Sequence, residues 1–434
     1  MDTSLYRRVW RWHFYAGLIV LPVLVWLAVT GGLYLYKPEI ERAFYHDWVV
    51  LPAPASPQPL AATIRRVEAE AGGIVRQIAR PAGPRESWRM TVERPDGVRR
   101  TAFVDPASGH VLGTTADGGV MKVVRDLHSL VIAGPVGNAV IEIVAGWTII
   151  LVVTGILLWW PSGGRKGLAL RGVPAGRLFW RDLHASTGAL VGAVILFLAV
   201  TGMPWSFFWG ATVQRLVTAQ GLGRPAPPNT DRGAASRHHQ DADPRRETHP
   251  WALHQAAAPV AGGGGGDVGP DRVAAVAAAR GLRPPYTLNL PSSPGSPYSI
   301  SRTPARADEA RLLYVDPAHG HVLGDTSYRD FGAGAKAIEW GIYTHQGQQY
   351  GEPNRLLMLA GCLGVLLLAA TAPILWWKRR RRGRLEAPPR PRGEGNRRIL
   401  APMLLIGMVY PLTGLTMVAA LAVELAIRKR RQAG

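Results

Sequence analysis

The sequence predicts an all-α polytopic membrane bundle of about five spans, with two small α+β domains outside the membrane and an internal duplication. Three observations predict it: long apolar runs, basic residues placed at the ends of those runs, and a set of landmarks that occurs twice. Of 434 residues, 47% are hydrophobic, an ordinary average that conceals long apolar stretches alternating with long polar ones. The runs at 14–36, 139–160, 185–209, 356–377 and 399–427 are each long enough to cross ~30 Å of hydrocarbon at ~1.5 Å per residue. With so few charges inside runs of this length, buried helices of a soluble protein are the poorer reading.

The formal charge of +20 invites a nucleic-acid reading, but the positions of the charges oppose it. Arg7, Arg8 and Arg11 precede the first run. Arg165, Lys166, Arg171, Arg177 and Arg181 fill the loop after the second, and Lys378 to Arg382 with Arg384 follow the fourth. Short basic loops stay cytoplasmic, and basic residues at a membrane surface suit anionic lipid. The N-terminus is therefore expected inside and the two long loops outside, as in a bacterial inner-membrane protein. No aromatic-and-basic module of the kind that binds nucleic acid is visible. The expected order is an N-terminal segment with the first span (1–37), an outside domain (38–127), a second span (128–161) and a cytoplasmic loop (162–183). A third span (184–209), a second outside domain (210–345), a fourth span (346–377), a basic cytoplasmic loop (378–398) and a fifth span with its tail (399–434) follow. The fifth run fits least well. Odd parity puts Arg428, Lys429, Arg430 and Arg431 outside, and Pro402 and Pro411 are placed to bend it; a full span is preferred to re-entry.

Cys362, the single cysteine, lies in an apolar run and reads as a small packing residue. The first run reads as a retained anchor, because it ends in Leu33-Tyr34-Leu35-Tyr36-Lys37 without a small-residue cleavage site.

Duplication is specific. His13 lies 17 residues before Thr30 in Ala-Val-Thr-Gly, and His184 lies 17 before Thr201 in the same tetrapeptide. Val-Asp-Pro-Ala-Ser-Gly-His-Val-Leu-Gly at 104–113 recurs as Val-Asp-Pro-Ala-His-Gly-His-Val-Leu-Gly at 315–324. His128 stands 31 residues before Trp159 in Leu-Trp-Trp, and His345 stands 31 before Trp376 in Leu-Trp-Trp. The repeats cover roughly 13–160 and 184–377, and both begin and end inside, so they run in parallel. In the first outside domain a helix is expected at 60–71 and strands near 74–79, 88–93 and 100–104, with a hairpin signal at Pro95-Asp96-Gly97. The second repeats this, with a helix near 271–280 and strands near 286–290, 298–302 and 311–315. Its insert at 220–270 is rich in Pro, Gly and Ala and is expected to be disordered.

The paired Val-Asp-Pro-x-x-Gly-x-Val-Leu-Gly segments resemble the PepSY-associated transmembrane family, as do Asp182-Leu183-His184-Ala185-Ser186-Thr187-Gly188 and the stretch from Thr154 to Pro161. The resemblance covers nearly the whole chain. That family includes iron-regulated inner-membrane proteins and di-haem ferric-siderophore reductases. It implies two small PepSY-like periplasmic domains, b-type haem held by histidines at helix ends, and a ferric siderophore as acceptor.

Twelve histidines need sorting. His238, His239, His249 and His254 sit in the low-complexity insert and read as solvated, with metal capture the lesser reading. His46 has no partner by spacing, and His110, His319 and His321 belong to the repeated turn. His13, His184, His128 and His345 differ: each is one of a matched pair at a membrane edge, the first two inside and the last two outside. A lone interfacial histidine would read as a headgroup anchor; four in two like-sided pairs read as ligands. Two imidazoles on opposite faces of a haem iron leave no open position, which favours electron transfer. Zinc is the competing metal, but it wants about four ligands and the pairs alone do not supply them. Two haem b groups per chain are expected, with Arg11 and Arg181 inside and Arg125 outside as candidate propionate partners. No Cys-x-x-Cys-His is present for covalent haem attachment.

Asp126 and Asp182 each precede a candidate ligand by two residues and read first as helix-start residues. Glu142, within the second span, is a costly intramembrane acid with no partner visible in the sequence. Trp10, Trp12, Trp159, Trp160, Trp376 and Trp377 read mainly as interfacial anchors.

The function expected is a membrane oxidoreductase that carries electrons to a periplasmic ferric siderophore or ferric chelate, making the protein a ferric-chelate reductase. No dinucleotide-binding glycine fingerprint follows a strand, so the sequence leaves the electron donor unidentified, with a quinol and a partner reductase as the candidates. The alternative is a non-enzymatic envelope binding or regulatory protein, in which the four histidines have no role. A transporter is third, opposed by the scarcity of intramembrane charge.

Overall fold

The structure, a computed structural model, describes residues 3–54, 56–160, 168–223, 258–259, 261, 266–293, 295–379 and 405–433. Four helices among these are long and apolar enough to cross a membrane. They are α1 (Thr3–Tyr34), α6 (Gly134–Trp159), α7 (Arg177–Thr201) and α11 (Glu352–Lys378). Each packs on two others in the cyclic order α1, α6, α7, α11, so the four close into a ring. Close packing is possible because small residues lie at the seams: Gly361 and Gly364 of α11 face Val194 and Val191 of α7, and Cys362 faces the Gly31–Gly32 pair of α1.

The remaining elements of the two repeats lie toward one end of the ring. The first repeat supplies α2 (Lys37–Phe44), α3 (His46–Val49), α4 (Leu60–Ala71), β1 (Ile74–Arg80), β2 (Trp88–Glu93), β3 (Arg99–Val104), β4 (Val111–Ala116) and α5 (Gly119–His128). From the second come α8 (Phe207–Ala219), α9 (Gly269–Ala279), β5 (Tyr286–Asn289), β6 (Tyr298–Arg302), β7 (Arg311–Val315), β8 (Val322–Ser327) and α10 (Ala333–His345). The predicted strands appear within a residue or two of their expected limits. The duplication is visible in the backbone: Gly109 and Gly320 both take φ near 73° in the repeated Asp-Pro turn, where a left-handed residue is needed. In each turn the glycine N–H donates to the aspartate carbonyl four residues back, from Gly109 to Asp105 and from Gly320 to Asp316.

Two separate outside domains are not what forms. β1 pairs antiparallel with β5, and the two halves merge into one eight-stranded sheet of order β4-β3-β2-β1-β5-β6-β7-β8. At the junction Gln77 pairs with Asn289, and their side chains share a 2.8 Å hydrogen bond. One sheet face carries Val75, Ile78, Met90, Leu288, Ile300 and Leu313, all buried beneath α4 and α9 in one shared core. Asp271 of α9 accepts the free N–H groups of Leu60 and Ala61 at the start of α4, a helix cap supplied by the other repeat. The sheet is tied to the helix ring through α2, where Glu41 takes Arg89 of β2 at 2.7 Å and Glu39 pairs with Arg355 of α11, while Trp26 Nε1 of α1 donates to Leu127 O of α5 at 2.7 Å.

The fifth apolar run differs from expectation. The chain bends at Tyr410, and α12 (Pro411–Ala433) offers only a short apolar part, Pro411–Val423. A Cβ on Gly414 would stand 2.8 Å from the Cα of Gly407. Residues seven apart on a straight helix are about 10 Å apart, so the chain doubles back here. Pro411 cannot donate into a continuing helix, which accounts for the bend. The third run also ends early: α7 stops at Thr201, and the rest of that run enters a 3-10 turn (Met203–Trp205) and α8. Most of the low-complexity insert, with His238, His239, His249 and His254, lies outside the described residues.

Candidate functional site

His13 and Thr30 lie on one helix, 17 residues apart, hence about 25 Å along its axis. The same spacing separates His184 and Thr201 on α7. His128 ends α5 and His345 ends α10, each 26 residues before a threonine: Thr154 on α6 and Thr371 on α11. These spacings interlock. His13 Nδ1 lies 2.9 Å from Thr154 Oγ1, and His128 Nδ1 lies 2.9 Å from Thr30 Oγ1. In the second repeat, His184 Nδ1 lies 2.7 Å from Thr371 Oγ1 and His345 Nδ1 lies 2.9 Å from Thr201 Oγ1. One rule thus serves all four histidines, two at the sheet side of the ring and two at the opposite side.

The direction of these bonds is fixed by the threonines. Each hydroxyl donates its single proton to the carbonyl four residues back: Thr30 to Trp26 at 2.7 Å, Thr154 to Ile150 at 2.6 Å, Thr201 to Phe197 at 2.7 Å and Thr371 to Leu367 at 2.9 Å. The hydroxyl oxygen is left as an acceptor toward the imidazole, so Nδ1 carries the ring proton. Nε2 then keeps its lone pair, which is the state a metal takes up, and the hydrogen bond at the other nitrogen orients the ring.

Glycines make room for these rings. A Cβ on Gly31 would stand 3.1 Å from His128 Cε1, and one on Gly155 would stand 3.2 Å from His13 Cε1. At Gly202 the distance to His345 Cε1 is 3.6 Å, an ordinary contact. Each glycine directly follows the threonine that holds the histidine; in the fourth case the residue after Thr371 is Ala372.

The histidines also influence one another across the repeats. His13 lies within electrostatic reach of His184, and His345 within reach of His128. Burial drives the imidazole of His128 down to about 4. Burial, and then the neighbouring His128, drives His345 down to about 3. Both are neutral at physiological pH, as ligands must be. Among the described residues no three His, Cys, Asp or Glu side chains converge as a metal cluster. Each pair offers two nitrogen donors, the number a bis-histidine haem would need from the protein and fewer than a closed zinc site needs.

The other candidates sort as follows. Neither Asp126 nor Asp182 starts a helix or bonds a histidine. Asp126 lies near the end of α5 and takes Lys122 and Arg125, while buried Asp182, five residues into α7, takes Arg171 and Arg181. Burial works to raise the Asp126 carboxyl, but Lys122 and Arg125 outweigh it and hold it below the ordinary carboxylate range. Arg125 and Arg181, expected as propionate partners, are thereby engaged with neighbouring carboxylates, and Arg11 stacks over Tyr15. In the repeated turn His110 pairs with Glu70 and His319 with Asp316, and the His319 and His321 rings stack at 5.9 Å. His46 contacts the adjacent Asp47 at the surface. The threonines escaped sequence reasoning as functional residues. Thr30 and Thr201 served only as landmarks, although the Thr-Gly pair recurring at 154–155 was a usable signal.

The sequence pattern of the PepSY-associated TM region matches residues 10–379. The chain belongs to that family. All four histidines and all four threonines of this PepSY-associated protein lie within the matched stretch. Together with the four long apolar helices, this makes it a multi-pass membrane protein. A comparison with curated proteins finds no match.

Proposed function

We propose that the protein is a membrane oxidoreductase holding two b-type haems, which delivers electrons to a ferric siderophore or other ferric chelate at the sheet side and so releases iron. The observation that supports this most strongly is the fourfold histidine–threonine arrangement, which leaves every Nε2 open for a metal while fixing every ring. His13 and His184 would hold one group, and His128 and His345 the other. A bis-histidine haem supplies one-electron transfer with no open coordination position for oxygen chemistry. The chain contributes orientation of the four rings, burial that excludes water, and room for the rings of His128 and His13 beside Gly31 and Gly155. The basic residues of the loops at 162–183 and 378–398 support a reading in which those loops are cytoplasmic and the sheet side faces outward. A purely binding or regulatory role gives the four histidine–threonine bonds no purpose.

The test is made in proteoliposomes with a reductant trapped within and a ferric chelate outside. Wild type should generate ferrous iron outside. His345→Ala should not, even when a membrane-permeant reductant supplies electrons; formation of Fe(II) by that variant at the wild-type rate contradicts the proposal.

A further inference from the structure

Glu142 lies eight residues into α6 and is fully buried. Its Oε2 accepts the backbone N–H of Phe208 at 2.7 Å and of Trp209 at 3.2 Å, both in the first turn of α8. Its Oε1 is buried and meets no donor among the described residues. A buried acceptor left unfilled is costly, and one that persists calls for a partner. The acid is also no part of the duplicated histidine scaffold. The offset of 217 residues that carries His128 onto His345 carries Glu142 onto Leu359.

Aromatic and lipid-facing groups surround this end of α8. Trp209 Nε1 donates to Val409 O at 2.6 Å, and the Trp209 and Tyr410 rings meet at 5.8 Å, at the bend of the C-terminal segment. Phe207, Phe208, Leu405 and Met408 expose their side chains on the same flank. Three residues before Phe208, Trp205 meets the His345 ring edge-on at 6.3 Å. The unpartnered carboxylate oxygen therefore lies buried within α6 where that helix meets the aromatic start of α8, and Trp205, just before α8, is in ring contact with a candidate ligand.

We propose that Glu142 anchors a lipid-soluble hydroquinone, the electron donor, by accepting the hydrogen bond of one ring hydroxyl at Oε1. This rests on the oxidoreductase reading. A hydroquinone arrives through lipid, brings the hydroxyl donor that Oε1 lacks, and has a flat ring suited to Trp209 and Tyr410. Its oxidation to the quinone releases two electrons and two protons. Glu142 takes the proton of the bound hydroxyl, and the other proton leaves to water at the sheet side. The electrons go singly to two one-electron acceptors, the bis-histidine haems of that reading.

The test uses the full chain in lipid nanodiscs and a hydroxyquinoline N-oxide, a fluorescent quinol mimic quenched on binding. Wild type should bind it saturably at one site per chain. Glu142→Gln keeps a carbonyl for the Phe208 and Trp209 N–H groups but turns the open position into a donor. It should bind at least tenfold more weakly with an unchanged haem spectrum; equal affinity overturns the proposal. A photoreactive azidoquinone on wild type covers the case in which the variant fails to fold. Label on 142, 207–209 or 405–413 supports the site, and label confined elsewhere overturns it. Haem without mimic binding overturns the quinol site alone. Mimic binding without haem overturns the oxidoreductase reading.

Discussion

Replacing Thr154 by valine keeps the side-chain shape and removes the acceptor for His13 Nδ1–H. Loss of such a partner typically costs about 10–100-fold in metal affinity. A redox titration of Thr154→Val should show one haem shifted in midpoint potential and the other unchanged, with Thr154→Ser restoring the wild-type value. An unshifted potential in the valine variant would show that the hydroxyl does not tune the ligand. The glycines make a graded prediction. Gly155→Ala puts a methyl 3.2 Å from His13 Cε1 and should perturb that haem spectrum, whereas Gly202→Ala, at 3.6 Å from His345, should leave it intact. At this scale the histidines were legible because duplication marked each one twice. Thr154 and Thr371 were not, because a threonine within an apolar helix ordinarily spends its hydroxyl on its own backbone; here the same oxygen serves a neighbouring ring as well.

Between α5 and α6 the two repeats differ in one informative residue. Leu130 holds φ at 49°, and the residue 217 positions later, Gly347, holds φ at 73°. A left-handed L-residue costs about 1–2 kcal/mol, and glycine returns part of that gain as unfolded-chain entropy. Leu130→Gly should therefore stabilise the protein by about 0.5–1 kcal/mol, read as a raised melting temperature; a lowered one would mean that the leucine side chain outweighs the strain. The C-terminal segment makes a prediction of its own. Val409 and Tyr410 lie beside Trp209, Thr413 beside Gly146, and Thr416 accepts from Trp147 Nε1. So α12 runs parallel to α6, away from the sheet side. A reporter fused after 434 should give the same sidedness as one in the 378–398 loop, and opposite sidedness would restore a full fifth span. The apolar length of 399–427 was plain in the sequence. Its reversal depends on Gly407 meeting Gly414 in space, which hydropathy does not register.

Across the whole molecule, the β1–β5 pairing turns two repeats into one body. Alternation in each half gave the strands, but nothing local says that residues near 77 pair with residues near 289, because neighbouring repeats offer equivalent edges. That pairing joins the halves that end in His128 and His345, each of which is also held to a ring helix, by Thr30 and by Thr201. Disrupting it, for instance with Ile78→Pro in β1, should loosen the outer pair first: the sheet-side haem should be lost or turn high-spin while the one at His13 and His184 remains. Loss of both together would mean that the sheet holds the entire ring in register. The account as a whole rests on two sites of two histidines each, and the most direct measurement is the absorption spectrum and extracted haem content of the purified protein. Two haems per chain with a six-coordinate, low-spin spectrum that sharpens on reduction is the result the histidine–threonine geometry predicts. A colourless protein, made where haem is plentiful, would contradict it.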